Sequence, residues 1–329
     1  MLRILHDTNY DFIRWWKVMA AITIAFILLG LGSLAVKPPN YSIEFTGGTL
    51  MQLTFAQPPD VGEIRSALDD AGIHGAEIQQ FGTNRDFTVR AQDPKQVAAQ
   101  ASGAGNIANV IEGVLKKKYG ENGVKVGRRE AVGPRVGQEL KRGAIIAILL
   151  SFLITLVYLS IRFEWRFAAA AVIATSHDVF TTIAFLKLMH LEISLTVVAG
   201  LLTVLGYSLN DTIIIFDRVR ENLRKGRKET LYETLNRSIN ETLPRSVLTH
   251  ATTFAATLAL LLFAGEVIRP FAWVMAFGIV TGTFSSIYVA APVLLWIERK
   301  WPRKTGVRQP SSTATPTSRT TRSPVTATR

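Results

Sequence analysis

Ionisable residues set inside long apolar stretches are the first chemistry this sequence offers. His177 and Asp178 stand side by side deep in one such stretch, Asn210 and Asp211 lie in the next, and Arg245 opens a third. A charged side chain at the centre of a bilayer costs roughly 2.5–3.5 kcal/mol or more, so such groups face a bundle interior or a water pathway. Gly200, Thr203, Tyr207, Asn210 and Asp211 recur at three- and four-residue steps, which places them along one helical stripe. Arg245, Thr249, Thr252, Thr253 and Ala256 repeat that pattern. Gly278, Gly282 and Ser286, four residues apart, make a small-residue face suited to close helix packing.

Direction along the chain decides which of these groups can meet. Asp211 lies near the end of its apolar stretch and Arg245 at the start of the next, so both fall in the same half of a membrane. A carboxylate beside a guanidinium in a partly wet cavity feels desolvation and the cation in opposition, and can exchange a proton. Two blander roles compete. Asp211 could be a static packing partner of Arg245 or of nearby Asn and Thr groups, and Arg245 could snorkel to the lipid head groups. Adjacent helical residues point ~100° apart, so His177 and Asp178 cannot both face one site. One of them is expected to face water while the other bonds a neighbouring helix.

The elements that must hold these residues are six apolar runs, at 18–36, 143–161, 167–186, 193–216, 245–265 and 271–297. Each has roughly 19 or more residues, enough at ~1.5 Å per residue to cross a ~30 Å hydrocarbon core. The first run is long and lacks an A-x-A cleavage site before Lys37, so it reads as a retained helix rather than a signal peptide. The net charge of +12, from 37 basic and 25 acidic residues, is distributed asymmetrically. Arg218, Arg220, Arg224, Lys225, Arg227, Lys228 and Arg237 lie in the loop at 217–244, and Arg299, Lys300, Arg303, Lys304 and Arg308 follow the last run. The short loops on the other side offer only Lys187 and Arg269. That is the positive-inside pattern, which places both termini (1–17 and 298–329) in the cytoplasm and argues against a nucleic-acid partner. With no cysteine and five scattered histidines, neither a disulfide nor a metal site is expected.

The segment at 37–142 is too long for a connector and should fold on the far side of the membrane. Alternation predicts strands at 49–55, 76–81, 86–91 and 124–132. Helices are predicted at 61–71, capped by Asp60 and ended by Gly72, and at 94–119, with a break near 102–105. The order β-α-β-β-α-β predicts a small ferredoxin-like α+β domain. The Ser-, Thr-, Pro- and Arg-rich tail from Lys304 has almost nothing to bury and is expected to be disordered.

At YSIEFTGGTL, GPRVGQELKRGA, RFEWRFAAAAVIATSHDVFTT, VLGYSLNDTIIIFDRVRENLRK, SINETLPRSVLTHATT and GTFSSIYVAAPVLLW, in that order over residues 8–300, the chain resembles the SecF family. That family is a subunit of the bacterial SecD–SecF protein-export complex and half of a twelve-helix transporter of the resistance–nodulation–division (RND) superfamily. Glu44 stands where the family usually has Asp; the carboxylate is kept. The resemblance implies a six-helix, all-α membrane bundle in the bacterial inner membrane with a periplasmic α+β domain. It implies no enzymatic activity and no cofactor beyond H+ as coupling ion. Its implied partners are SecD, the Sec translocon and the translocating unfolded polypeptide. It implies that Asp211, Arg245 and Thr249 form a proton pathway; Asn210, His177 and Asp178 are read from their own places in the apolar runs as supporting polar groups. Rival readings are a small-molecule exporter half, a non-transporting assembly scaffold, and an intramembrane aspartyl protease using Asp178 and Asp211. The last lacks a GxGD-type motif, since Asp211 sits in YSLND.

Overall fold

In the computed structural model, the structure describes residues 8–91, 105–225, 229–265 and 267–302. The chain begins with α1 (Trp16–Gly32), extended by single 3-10 turns at both ends, and a one-turn helix α2 (Ile43–Thr46). The extramembrane unit follows as β1 (Gly48–Phe55), α3 (Val61–Asp70), β2 (Glu77–Gln80), β3 (Asp86–Ala91), α4 (Gly105–Tyr119) and β4 (Val124–Val132). Its sheet has the order β2-β3-β1-β4 with every pair antiparallel, the arrangement of a ferredoxin-like unit. The start of the helix expected at 94–119 lies outside the described residues.

Strand alternation builds the core of this unit. Met51, Leu53 and Phe55 on β1 and Phe87 and Val89 on β3 point to one face, where Ile64 and Leu68 of α3 and Ile111 and Leu115 of α4 cover them. The ring of Phe55 meets Phe87 and Tyr119 edge-on, at 5.8 and 5.2 Å. Burying each such side chain stabilises by roughly 1.5–3 kcal/mol. Asp60 caps α3 by accepting from the backbone N–H of Gly62 at 2.6 Å and of Glu63 at 3.2 Å. Gly47 (φ +75°) leads into β1 against the start of the second span; a Cβ there would lie 2.9 Å from the Pro134 backbone, so no larger residue fits.

Five further helical segments complete six candidate spans: α5 (Pro134–Arg162), α6 (Trp165–Leu188), α7 (Leu195–Arg224), α8 (Leu231–Phe263), and α9 (Arg269–Ser285) joined to α10 (Ala291–Lys300). A π turn at Ser286–Ala290 separates the last two. Pro292, which has no N–H to give back, stands just after it and accounts for the irregular ladder. Several helices outrun the apolar runs. The second starts at Pro134 rather than 143, and much of the loop expected at 217–244 is helical, as the ends of α7 and α8. Hydropathy marks only the lipid-crossing part of a helix. Backbone hydrogen bonding continues into the aqueous layer, where a capping box of Thr230 and Glu233 starts α8.

Small residues let the central helices touch. A Cβ on Gly278 would lie 2.2 Å from Val204 Cγ2, and one on Gly282 would lie 3.0 Å from Ser208 Cβ. The stretches at 278–286 on α9 and 204–212 on α7 therefore run side by side, and Ser286 closes the contact with a 2.9 Å hydroxyl pair to Thr212. In the third, fourth and sixth spans about half or more of the apolar window is buried (56, 50 and 61%), against 6% in the first and second. The polar site has to lie among those inner three helices and α8, which packs on the fourth and sixth spans.

Candidate functional site: a polar cluster between four helices

Helix α7 brings Tyr207, Ser208, Asp211 and Thr212 to the centre of the bundle, Ser208 and Thr212 towards α6 and the sixth span, Tyr207 and Asp211 towards α8. Towards α6 and α9, Ser208 donates to Asp178 Oδ2 at 2.5 Å, and Ser285 donates to the same oxygen at 2.7 Å. The other oxygen of Asp178 faces His177 Nδ1 at 3.2 Å. Asp178 is fully buried and ties three helices together. His177 does pair with its neighbour, so the two do not part to separate surroundings as their ~100° offset suggested. Its Nε2 is buried without a hydrogen-bond partner.

One turn along α7, Asp211 faces α8. Ser246 donates to its Oδ1 at 3.0 Å, and His250 Nδ1 lies 3.7 Å from its Oδ2. The same ring nitrogen is 2.9 Å from Thr283 Oγ1 on α9, and the imidazole packs against the Tyr207 ring at 5.2 Å. Tyr207 donates to Thr253 Oγ1 at 3.1 Å and to the Thr249 carbonyl at 3.2 Å. Asp211 and His250 are both buried, 3% and 7% exposed.

Arg245 does not meet Asp211; no ion pair within 4.0 Å joins them. Helix geometry gives the reason. Ser246 and His250 are four residues apart and share the face turned to Asp211, whereas Arg245 and Thr249 share the face ~100° away. Arg245 is exposed and lines two cavities at the end of the bundle opposite the sheet. One, of 550 Å³, includes Asp217, Arg218 and Glu241; the other, of 930 Å³, includes Asp11, Asn240 and Pro244. The guanidinium thus stands at a wide vestibule, and the next residue along α8, Ser246, holds the buried carboxylate, which lines neither cavity. The α7 stripe also divides: Gly200 and Asp211 turn inward, while Thr203 and Asn210 are exposed.

Sequence reasoning missed Ser246, His250, Thr283, Ser208 and Ser285. The four-residue spacing of Ser246 and His250 was available as a signal, but it was overshadowed by Arg245 and Thr249, which have the same spacing. Chemically, the cluster offers one carboxylate held by three donors and another with one hydroxyl and a loosely placed imidazole. The second can change its protonation with less rearrangement.

Comparison with known proteins places these residues in context. The profile described as "Protein export membrane protein SecD/SecF, C-terminal" matches residues 112–300, and "SecD/SecF GG Motif" matches 32–59. The chain is 62% identical over 305 residues to a protein translocase subunit SecF from Gemmatimonas aurantiaca, covering 92% of this chain and 91% of that one. It is 43% identical over 289 residues to the SecF of Vibrio alginolyticus, covering 88% and 90%. The crystal structure of SecDF, a translocon-associated membrane protein from Thermus thermophilus, superimposes with a TM-score of 0.77 at 34% identity. That match covers 91% of this chain, which spans only 40% of the length of that one.

Proposed function

Since the chain belongs to the SecD/SecF family of protein-export membrane proteins, we propose that it is the proton-driven accessory subunit of the Sec translocase in which Asp211 carries the proton. The observation that carries this reading is the setting of Asp211, a buried carboxylate with one hydroxyl donor and an imidazole 3.7 Å away, next to a vestibule that holds Arg245. Loading the carboxylate from that vestibule neutralises it and weakens its hold on α8. Unloading restores the attraction. A charge moved across 100 mV is worth about 2.3 kcal/mol, enough to bias a two-state rearrangement tens-fold.

The remaining parts follow the same logic. The clustering of basic residues at one set of ends of α7 and α8 and after the last span supports a cytoplasmic position for both termini, with the sheet domain outside. A second bundle, from SecD, completes the transporter and supplies a matching intramembrane carboxylate. The outer domain handles unfolded polypeptide leaving the translocon. Its junction with the bundle is firm: Leu195 N, at the start of α7, donates to Glu44 Oε2 at 2.6 Å. Movement of α7 is thereby passed to the domain. A scaffold would hold its helices together whether or not residue 211 can ionise, and nothing favours a small-molecule exporter.

Asp211→Asn tests the reading. Asn keeps the shape and accepts from Ser246, but exchanges no proton. The expected outcome is loss of proton-driven export stimulation in vesicles, by about 100-fold, with insertion and SecD binding intact. Normal stimulation by this variant would leave the scaffold as the better account.

A further inference from the structure

The geometry points to His250 as the second proton-carrying group of the site, the base that receives the proton of Asp211 and returns it. This rests on Asp211 being the proton carrier proposed above.

One ring nitrogen of His250 faces both Asp211 Oδ2, at 3.7 Å, and Thr283 Oγ1, at 2.9 Å. The Thr283 hydroxyl has a single proton and also lies 2.9 Å from the Ile279 carbonyl. With that proton on Ile279 O, the Thr283 oxygen can only accept, so Nδ1 must carry a hydrogen. With Nδ1 bare, the hydroxyl proton turns from the carbonyl to the ring. Thr283 therefore accommodates both protonation states of His250 by one rotation, with no movement of a helix. On the other side, Ser246 donates to Asp211 Oδ1, which leaves Oδ2 as the oxygen that faces the imidazole.

The transfer balances simply. The Asp211 O–H bond breaks, its electron pair stays on the carboxylate, and the proton forms an N–H bond at His250 Nδ1. The neutral pair becomes an ion pair across α7 and α8, and the reverse step restores it. The 0.7–1.0 Å that separates 3.7 Å from a good hydrogen bond is a small closing of α8 on α7. Few other charges compete for the ring. On α7 the facing titratable groups are Asp211 and Tyr207; on α8 itself Arg245 turns to the vestibule; α9 has no ionisable side chain after Arg269; and on α6 Asp178 and His177 are engaged with each other and with Ser208.

The test uses the full-length chain reconstituted with its SecD partner. Infrared difference spectra of the protonated-carboxyl band, recorded against pH, are compared for wild type, Asp211→Asn and His250→Asn. Asn places an amide near the Nδ1 position and can hydrogen-bond Thr283 but cannot carry the proton. Wild type is expected to give a carboxyl band that titrates in step with an imidazole band. Asp211→Asn should lose the carboxyl band. His250→Asn should keep it, titrating in a single step at a displaced midpoint, with proton-driven export reduced about tenfold or more. Should His250→Asn fail to insert, His250→Gln is read in its place. An unchanged titration and an unchanged pH profile of export in the His250 variant, with Asp211→Asn inactive, would overturn the role of His250 alone. Undiminished proton-driven export by Asp211→Asn would overturn the role of Asp211 and this inference with it.

Discussion

Asp178 and Asp211 are the same residue in two very different sites, and the difference lies in their donors. Asp178 receives two hydroxyls on one oxygen and faces His177 with the other, inside three packed helices. Asp211 has one hydroxyl at hydrogen-bond distance. A well-supplied buried carboxylate acts as a lock, because any change there orphans several partners. Asp178→Asn keeps an oxygen for both serines and should retain proton-driven export within about threefold, unlike Asp211→Asn. Asp178→Leu leaves the Ser208 and Ser285 hydroxyls without that partner and should lower stability by roughly 1–3 kcal/mol. Thermal unfolding in detergent and export assays on the same preparations check both, and an inactive but fully stable Asp178→Asn would make Asp178 a carrier instead of a lock. That both carboxylates lie in the bundle was legible from their place in apolar runs. Their donors were not, since serine and threonine are common in such helices and only the three-dimensional packing says which face which carboxylate.

At the scale of elements, a group of hydrogen bonds and an ion pair ties the sheet and the segment before it to the short loop before α7. Ser42 N donates to Ile193 O at 2.9 Å and Ile193 N to Asn40 O at 2.7 Å, a strand-like exchange. Arg90, next to the end of strand β3, has a side chain nine-tenths buried and pairs with Glu192. Lys187 donates to the Lys37 carbonyl at 2.6 Å. Burial holds Glu192 above the ordinary glutamate value of 4.5, and Arg90 opposes that rise. A carboxyl whose folded value is raised contributes most below its unfolded value, and that contribution fades as pH rises through the folded value. Arg90→Met removes the opposing cation, so the rise should grow and the junction should weaken more steeply between pH 5 and about pH 8. Hydrogen exchange of residues 190–195, corrected for intrinsic rates, should accelerate severalfold towards the upper pH in the variant and little in wild type. Equal profiles would mean that the backbone exchange alone fixes the junction. The four strands and α3 could be read from alternation, a cap and a glycine stop. The clamp could not, because it joins residues some 100–150 positions apart, and local pattern says nothing about pairings at that distance.

The whole molecule has one side that does not suit lipid. On α7, Thr203, Gly206 and Asn210 are exposed; on α8, Arg245 and Thr252 are exposed and Thr249 and Thr253 half-buried. Only 17% of the fifth span's apolar window is buried, although this helix carries two groups that face Asp211. The exposed sides of α1 and α5, by contrast, are Leu and Ile, such as Leu29 and Leu149. The spans and the polar stripes were legible as periodicity in one chain. The direction in which each stripe faces was not, because a stripe looks the same whether it meets its own bundle or another one. An amide such as Asn210 finds no partner in hydrocarbon, so either water or a second polar helix surface has to meet it. The matching SecDF chain, of which this one spans 40%, is long enough to include such a surface. The absence of cysteine in this chain gives a clean background for testing the point. Single cysteines at Asn210, Thr252 and Leu149 should all react with a membrane-permeant maleimide when the chain is expressed alone. Co-expression with SecD should protect the first two by about tenfold and leave Leu149 unchanged, since α5 remains against lipid. Protection at Leu149 instead would move the partner to the other side of the bundle and leave the Asn210 face to lipid or to water.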